Sequence, residues 1–385
     1  AEAGRAQGPC QRVAGGFVVG LLLCAAATFA WWHAHEPARA LEVTLALLVV
    51  SCPCALSLAI PTALTTAHGA LARIGVLGVR EDALATLARV DRVVLDKTGT
   101  LSDGRPVLDR AATSEGIAEA DVLAIAAALE RGSAHPLAQA FAPVDAIGVA
   151  HGVQAMAGLG IEGQVDGVGW RLGRADFAAR RADDGALWLG DGTHAYARIT
   201  VREALRAHAR EAVVALRDAG IAVELCSGDS HDAVASFARQ VGIDAFHARQ
   251  SPEQKLGRVR DAQARGDVVA MVGDGLNDAP VLAGADVSLA MAEGAALAQR
   301  GADFVITSPS LLRVPQAIVL ARRAQRIVRQ NLAWALGYNL LAIPLAATGH
   351  VTPWIAALGM AGSSLLVTLN ALRLSRRAGD GGRFA

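Results

Sequence analysis

The chain has 385 residues, 53% of them hydrophobic and 19% charged, with a mean hydropathy of +0.35. This apolar content excludes an intrinsically disordered chain, and only 5 cysteines exclude a disulfide-stapled secreted domain. Lys plus Arg and Asp plus Glu each total 36, so a net charge of zero offers nothing to nucleic acid, which is not expected as a partner.

In chain order, a lead-in of residues 1–12 precedes the uncharged stretch 13–32, which ends in Trp31-Trp32, an interfacial anchor pair. A second uncharged stretch, 43–67, carries Cys52-Pro53-Cys54. Far downstream, residues 330–372 hold no Asp, Glu, Lys or Arg, and the turn-forming run 348–353 divides them into two helices. A bilayer span needs about 20 apolar residues, and a charge near its centre costs roughly 2.5–3.5 kcal/mol. Four membrane helices are therefore expected, two within 13–67 and two within 330–372. The first is not read as a cleaved signal, because no small-residue cleavage site follows it and three more spans do.

With four alternating spans, Arg5, Arg12, Arg73, Arg80, Arg322, Arg323, Arg326, Arg329, Arg373, Arg376 and Arg377 share one side, and the opposite loops hold only Arg39. The positive-inside bias then places both termini and the long segment 68–329 in the cytoplasm of a multi-pass protein of the cell membrane, with the lipid bilayer as partner. His33, His35 and His350 fall on the far side as wetted interface residues.

Between the two pairs of spans, short apolar runs at 92–95, 221–225, 268–272, 286–289 and 303–306 read as strands. Helical patterns at 203–219, 231–241 and 252–265 separate them, and this alternation predicts a parallel sheet covered by helices. Residues 68–105 and 201–329 form its two parts. The intervening 106–200 has a different texture, rich in Gly and Ala, with a helix near 119–131 and strand-like pieces from 161 to 199. It is read as a separate, inserted domain, and 373–385 as a cytoplasmic tail.

In such sheets ligands gather beyond the carboxyl ends of the strands. Three polar clusters lie there: Asp96-Lys97-Thr98-Gly99-Thr100, Ser227-Gly228-Asp229 and Gly273-Asp274-Gly275-Leu276-Asn277-Asp278. A carboxylate at a strand end, followed by a glycine turn with free N–H groups, can attack a phosphoryl group. Asp96 has that setting. Asp274 would bring a second carboxylate, and two carboxylates with phosphate oxygens suit Mg²⁺. Lys255 would neutralise charge developing on the phosphate, and the Ser227 hydroxyl would donate to it. Thr98 stands where a soluble phosphatase of this architecture carries a second Asp as acid/base, so an aspartyl phosphate here should persist. Lys97 and Lys255 are the only lysines in the chain, and both fall among these clusters. Arg replaces Lys readily on a solvated surface but not at a compact point-charge site.

The run Asp96-Lys97-Thr98-Gly99-Thr100-Leu101 resembles the phosphorylation signature of P-type ATPases, and 273–280 resembles their hinge motif. Ser133-Ala134-His135-Pro136 and Cys52-Pro53-Cys54 are similar to motifs of the heavy-metal-transporting subgroup. The resemblance covers nearly the whole chain. It implies membrane helices plus an α/β HAD-like Rossmannoid phosphorylation domain with an inserted α+β nucleotide-binding domain. It further implies that Asp96 is the phosphorylated nucleophile, and that Asp274 and the carbonyl of Thr98 hold Mg²⁺ with it. Lys255 and Ser227 would contact the phosphate, Asn277 and Asp278 would order the site, and Lys97, Gly228 and Asp229 would belong to the same catalytic set. Glu130, His135, Gly158 and Gly160 would line an ATP pocket. Departures are Ser227 and Ser102 where Thr is usual, and Gly173-Arg174 where relatives carry Asn after Gly. The family's actuator domain, with its Thr-Gly-Glu loop, has no counterpart, so the chain is expected to be the carboxyl-terminal portion of a pump.

Pro53 removes a helical N–H, so the helix should unwind and let Cys52 and Cys54 face one ion. Soft thiolates suit Cu(I) or Ag(I), with Zn(II) also open. The last two spans contain no carboxylate. Their Tyr338-Asn339 and Met360, with Ser363 close by, resemble the monovalent-copper pattern, and Cu⁺, received from a copper chaperone, is the expected cargo. Three alternatives stay open: a Zn(II)/Cd(II)-type P-type ATPase, a membrane-anchored HAD-type phosphatase, and a non-transporting metal-binding fragment.

Overall fold

The computed structural model describes residues 7–376 except 53, 81, 115–116, 134, 136, 183, 185, 275–277 and 293–300, with side chains from residue 19 to 375. Asn277, Pro53, Ala134, Pro136, Arg5 and Arg377, and the side chain of Arg12, lie outside the described residues.

The elements run α1 (Gln7–His35), α2 (Pro37–Val50), α3 (Cys54–Arg73), β1 (Val76–Gly78), α4 (Ala83–Leu87), β2 (Arg92–Asp96) and β3 (Ser102–Thr113). Next come α5 (Glu119–Glu130), α6 (Ala138–Phe141), β4 (His151–Met156), β5 (Gly160–Val165), β6 (Val168–Gly173), α7 (Ala175–Ala179), β7 (Leu187–Gly190) and β8 (Ala195–Leu205). Then follow α8 (Ala209–Asp218), β9 (Ala222–Cys226), α9 (His231–Val241), β10 (Ala245–His247), α10 (Pro252–Ala264), β11 (Val269–Gly273) and α11 (Ala279–Gly284). The described chain closes with β12 (Val287–Met291), β13 (Phe304–Ile306), α12 (Arg313–Ala347) and α13 (Pro353–Arg376).

Seven strands form one sheet in the order β1-β13-β12-β11-β2-β9-β10. Every neighbour pair is parallel except β1 with β13. The central strands carry no polar/apolar alternation because helices cover both faces: Val93, Val94 and Leu95 of β2 are all buried, as is every residue of β11. In register, Asp96 lies opposite Cys226, and Val272 opposite Leu95, so the ends of β2, β9 and β11 open onto one place.

A second, antiparallel sheet runs β3-β8-β7-β6-β5-β4 and packs α5 against one face through Val122, Ala126 and Leu129. The helix expected from residue 203 begins instead at Ala209. Residues 203–205 continue β8, pairing across Pro106↔Glu203 and Ser102↔Leu205. Alternation in 198–204 suits a half-buried strand, and the pairing with β3 outweighs the helical propensity of Glu, Ala and Leu. Strand β3 had no signal of its own, because its Asp, Gly, Arg and Pro read as a loop.

The stretch expected as one span over 43–67 is two helices: α2 ends at Val50 and α3 begins at Cys54. Among the described residues, Pro37–Arg73 and Pro353–Ser375 are long and apolar enough to cross a membrane, and Val19–His35 is apolar but shorter. Leu22, Leu23, Leu41, Leu336, Leu340, Trp354, Leu358 and Leu365 of these helices stand exposed. At one end of the bundle Trp32 donates to the Ala347 carbonyl (3.0 Å) and Arg39 to that of Gly349 (2.8 Å). At the other end Arg73 donates to the Ser375 carbonyl (3.2 Å). The helix α12 is continuous from the sheet into the bundle, and Arg322 anchors it to the carbonyls of Ala219 (2.8 Å) and Val90 (2.9 Å).

Candidate active site and ion-binding helices

Asp96 is buried at the carboxyl end of β2. The Lys255 ammonium donates to its Oδ1 at 2.6 Å and to both oxygens of Asp278 at 3.0 Å. The sequence places Lys255 with a local device. Ser251 caps α10 reciprocally with Gln254, at 3.3 Å from the Gln254 N–H and 2.9 Å back to its side chain, and Pro252 starts the helix. That fixes where α10 begins and leaves Lys255 in its first turn, aimed across the sheet.

Burial pushes the Asp96 carboxyl up, and repulsion from Asp278 and Asp274 adds to it against the pull of Lys255, to about 7. Burial opposes the charge on Lys255, but Asp96 and Asp278 outweigh it and raise its pKa, so it stays an ammonium.

Asp274 follows β11 and lies against the turn after Asp96. Gly99 has φ +70°, and a Cβ there would come within 2.8 Å of the Asp274 carboxylate. The turn thus needs glycine twice, for its left-handed conformation and for the approach of Asp274. Asp96, Asp274 and the carbonyl of Thr98 are hard oxygen donors on neighbouring strand ends, which is the donor chemistry Mg²⁺ takes. Thr98 itself is exposed.

Lys97 departs from the expected arrangement. Its ammonium pairs with the Asp229 carboxylate and, at 3.0 Å, with Glu203, so Lys255 is the lysine that touches Asp96. Ser227 is buried directly after Cys226, and its Oγ accepts the Asp229 N–H at 3.2 Å. Gly228 lies between them, close to the Gln250 carbonyl. Asp278 sits where it holds Lys255.

Two residues of this site escaped the sequence reading. Glu203, at the end of β8, takes Lys97 and accepts from the Ser102 hydroxyl at 2.5 Å. Arg206 is buried and donates to the carbonyls of Thr100 and Gly99, each at 2.8 Å. The available signal was a Glu-x-x-Arg spacing immediately before a helix, which reads as ordinary helix charge without the pairing of β8 with β3.

An open pocket of about 740 Å³ lies against the second sheet. Glu130, His135, Gly158 and Gly160 all line it, and it extends to Glu203 beside Lys97. Glu130 is buried, its Oε2 has no partner, and burial raises its pKa. The His135 Nδ1 accepts the Leu137 N–H at 3.2 Å. Strands β5 and β6 approach so closely that a Cβ on Gly160 would meet the Leu172 carbonyl at 2.2 Å, and one on Gly173 the Leu159 carbonyl at 2.2 Å. The Arg174 N–H is tied to that same Leu159 carbonyl at 2.8 Å.

In the helical bundle, Cys52 lies in the break between α2 and α3 and Cys54 opens α3. Their Cα atoms are 5.5 Å apart and their sulfurs are bonded to each other. Ser363 is buried and accepts from Trp334 Nε1 at 3.1 Å. The Tyr338 hydroxyl packs on Gly359, where a Cβ would lie 2.7 Å from it. Tyr338 and Asn339 lie on α12, and Met360 and Ser363 on α13. Both helices pack on α3 through Ala55, Ala59, Ala335 and Val367. Among the described residues, no three His, Cys, Asp or Glu side chains cluster as a metal site.

Comparison with known proteins places this geometry in context. The haloacid dehalogenase-like hydrolase model matches residues 90–286. The chain is 38% identical to a copper-exporting P-type ATPase of Mycobacterium tuberculosis, over 98% of this chain and 52% of that protein. It is 40% identical to the nitrogen fixation protein FixI of Bradyrhizobium diazoefficiens, over 89% of this chain and 47% of that protein. The chain thus spans about half the length of the curated relatives it matches. The crystal structure of a zinc-transporting PIB-type ATPase in the E2.Pi state superposes with a TM-score of 0.81 at 33% identity, covering 94% of this chain and 62% of that one.

Proposed function

The chain belongs to the haloacid dehalogenase-like hydrolase family, and within it we propose that the chain supplies the catalytic and ion-translocating elements of a P-type ATPase that exports Cu(I), or Ag(I), through an aspartyl phosphate at Asp96. The observation that carries this reading is the Lys255 ammonium at 2.6 Å from a buried Asp96, with Asp278 and Asp274 beside it.

ATP binds in the cavity lined by Glu130, His135, Gly158 and Gly160. An Asp96 oxygen attacks the γ-phosphorus, the bond to the β,γ-bridging oxygen breaks, and ADP leaves. Lys255 neutralises the charge gathering on the transferred group, and Ser227 donates a hydrogen bond to it. Mg²⁺, held by Asp96, Asp274 and the Thr98 carbonyl, would screen the phosphate oxygens when bound. Thr98 has no ionisable side chain at neutral pH, so water is not activated from that position and the acyl phosphate lasts. Its hydrolysis is assigned to an actuator element working with this chain.

Four spans at 13–32, 43–67, 330–347 and 353–372 hold the chain in the cell membrane with both termini and the two sheets in the cytoplasm. The ion is passed from a copper chaperone to Cys52 and Cys54 as thiols, with Tyr338, Asn339, Met360 and Ser363 completing its path. The Zn(II)/Cd(II) reading is weaker because no carboxylate stands anywhere between Asp303 and Asp380, where a divalent ion would call for one. The phosphatase reading is opposed by Thr98, and the non-transporting fragment by the ordered Asp96–Lys255 pair.

Incubation with γ-labelled ATP tests the proposal. An acid-stable, hydroxylamine-sensitive label is expected on the wild-type chain and none on Asp96→Asn. A label on serine, or no covalent adduct under any condition, removes the proposal. Metal binding without any label would favour the non-transporting fragment.

A further inference from the structure

A groove of about 420 Å³ lies between α12 and α13 at the arginine-rich end of the bundle. Gln330, Asn331, Asn370 and Arg373 form its polar end, and Trp334 and Leu366 continue it as an apolar channel. The polar end has a direction. Arg373 donates to the Asn370 side-chain oxygen Oδ1 at 2.9 Å. The Asn370 amide donates to the side-chain oxygens of Asn331 (2.8 Å) and Gln330 (3.3 Å), and Asn331 donates on to the Val367 carbonyl (3.3 Å). Asn331 is only 2% exposed. Each of the three amide oxygens accepts a bond inside the network, and the Arg373 guanidinium and the Gln330 amide bring further N–H donors to the mouth.

The surroundings repeat that polarity. The sequence holds no acidic residue between Asp303 and Asp380, while Arg326 and Arg329 precede the groove residues on α12. Directly beyond the donors, Trp334 and Leu366 are about half exposed. Cationic donors at the headgroup level with an exposed apolar channel behind them match an amphipathic anion.

We propose that this groove holds an anionic phospholipid of the cytoplasmic leaflet, its phosphate against Arg373 and Gln330 and one acyl chain along Trp334 and Leu366. The inference rests on the reading that α12 and α13 cross the bilayer. It also gives the lipid a route to the ion path, because Trp334 forms the groove wall and donates to Ser363. A free phosphate ion would leave the apolar channel unfilled.

The test uses the 385-residue chain in phosphatidylcholine vesicles that contain a small fraction of photoactivatable lipid, either phosphatidylglycerol or phosphatidylcholine. Cross-linked peptides are then mapped. Phosphatidylglycerol should label 330–334 and 366–373 several-fold more than phosphatidylcholine does. Arg373→Gln should cut that phosphatidylglycerol labelling about fivefold, the equivalent of about 1 kcal/mol for one basic residue at an anionic surface. Phosphatidylcholine labelling should stay unchanged, which shows that the variant is folded and inserted. Arg373→Lys should retain most of the preference, and Arg39→Gln, at the other end of the bundle, all of it. Equal labelling by the two lipids, or an Arg373→Gln variant with its preference intact, overturns the inference. So does loss of the label in the complete pump, which would mean that another segment covers the groove. Release of the wild-type chain from vesicles by alkaline carbonate is a different failure, of the membrane-spanning reading itself.

Discussion

Lys255 holds two acids at once, with its Nζ 2.6 Å from Asp96 and 3.0 Å from both oxygens of Asp278. One cation for two buried carboxylates, with Asp274 close by, leaves Asp96 short of compensation. A cation bound beside these carboxylates would supply the compensation that one lysine does not.

The pH dependence follows from the raised Asp96 carboxyl. Its pKa rises from 3.8 to about 7, so between these values the folded chain holds a proton that the unfolded chain has lost. The contribution of Asp96 to stability therefore falls as pH rises through that window. Asp96→Asn should raise the thermal midpoint at pH 8, by the equivalent of about 1–2 kcal/mol, and have little effect at pH 4. Melting curves at the two pH values check this, and a variant less stable than wild type at pH 8 would contradict it. Phosphorylation needs the ionised carboxylate, so labelling of the wild type should weaken as pH drops below about 7.

Gly99→Ala should abolish labelling and lower stability by about 1–3 kcal/mol, because the new methyl must occupy a left-handed backbone position against the Asp274 carboxylate. Gly104 shares the positive φ but has nothing within 4 Å of a Cβ, so Gly104→Ala separates backbone strain from the clash. Chemical denaturation and labelling of both variants decide between the two causes.

Arg206 holds the catalytic turn from behind through the carbonyls of Gly99 and Thr100. Arg206→Lys keeps the charge and loses the fork, and should slow phosphorylation about tenfold, with nucleotide affinity little changed. Single-turnover labelling separates rate from binding. A loss of affinity with an unaltered rate would assign Arg206 to the cavity instead.

Glu130→Gln and His135→Gln should raise the ATP concentration needed for half-maximal labelling about tenfold without changing the maximum, since both groups line the cavity and Asp96 is not among its lining residues. Gly160→Ala should be more severe and structural, because its Cβ has no room beside the Leu172 carbonyl. Titrations of labelling against ATP, paired with melting curves, distinguish the cases.

Metal dependence should appear only under reducing conditions, because Cys52 and Cys54 are near enough to pair with each other and a thiolate site requires both to be free. Cys52→Ser should lose metal-stimulated labelling from ATP and retain labelling from inorganic phosphate. Metal-stimulated labelling by the double Cys52→Ser, Cys54→Ser variant would remove these thiols from the ion path.

The sequence alone determined the parts whose cause is local. Strand β2 and the aspartate at its end were legible because a buried parallel strand is a continuous apolar run, and a glycine turn marks its stop. Helix α9 was legible over its full length from its periodicity, and the end of α2 ahead of Cys52 from the proline that follows. The tertiary structure decided what depends on residues far apart in the chain. Lys97 and Lys255 look equivalent in sequence. Only the junction of β8 with the catalytic turn gives Lys97 to Glu203 and Asp229, and leaves Lys255 for Asp96. Strand β3 was invisible because its stability comes from pairing with β8, roughly ninety residues on, and not from its own propensities. The charge balance of the site is likewise a property of distances between strand ends, which spacing along the chain does not contain.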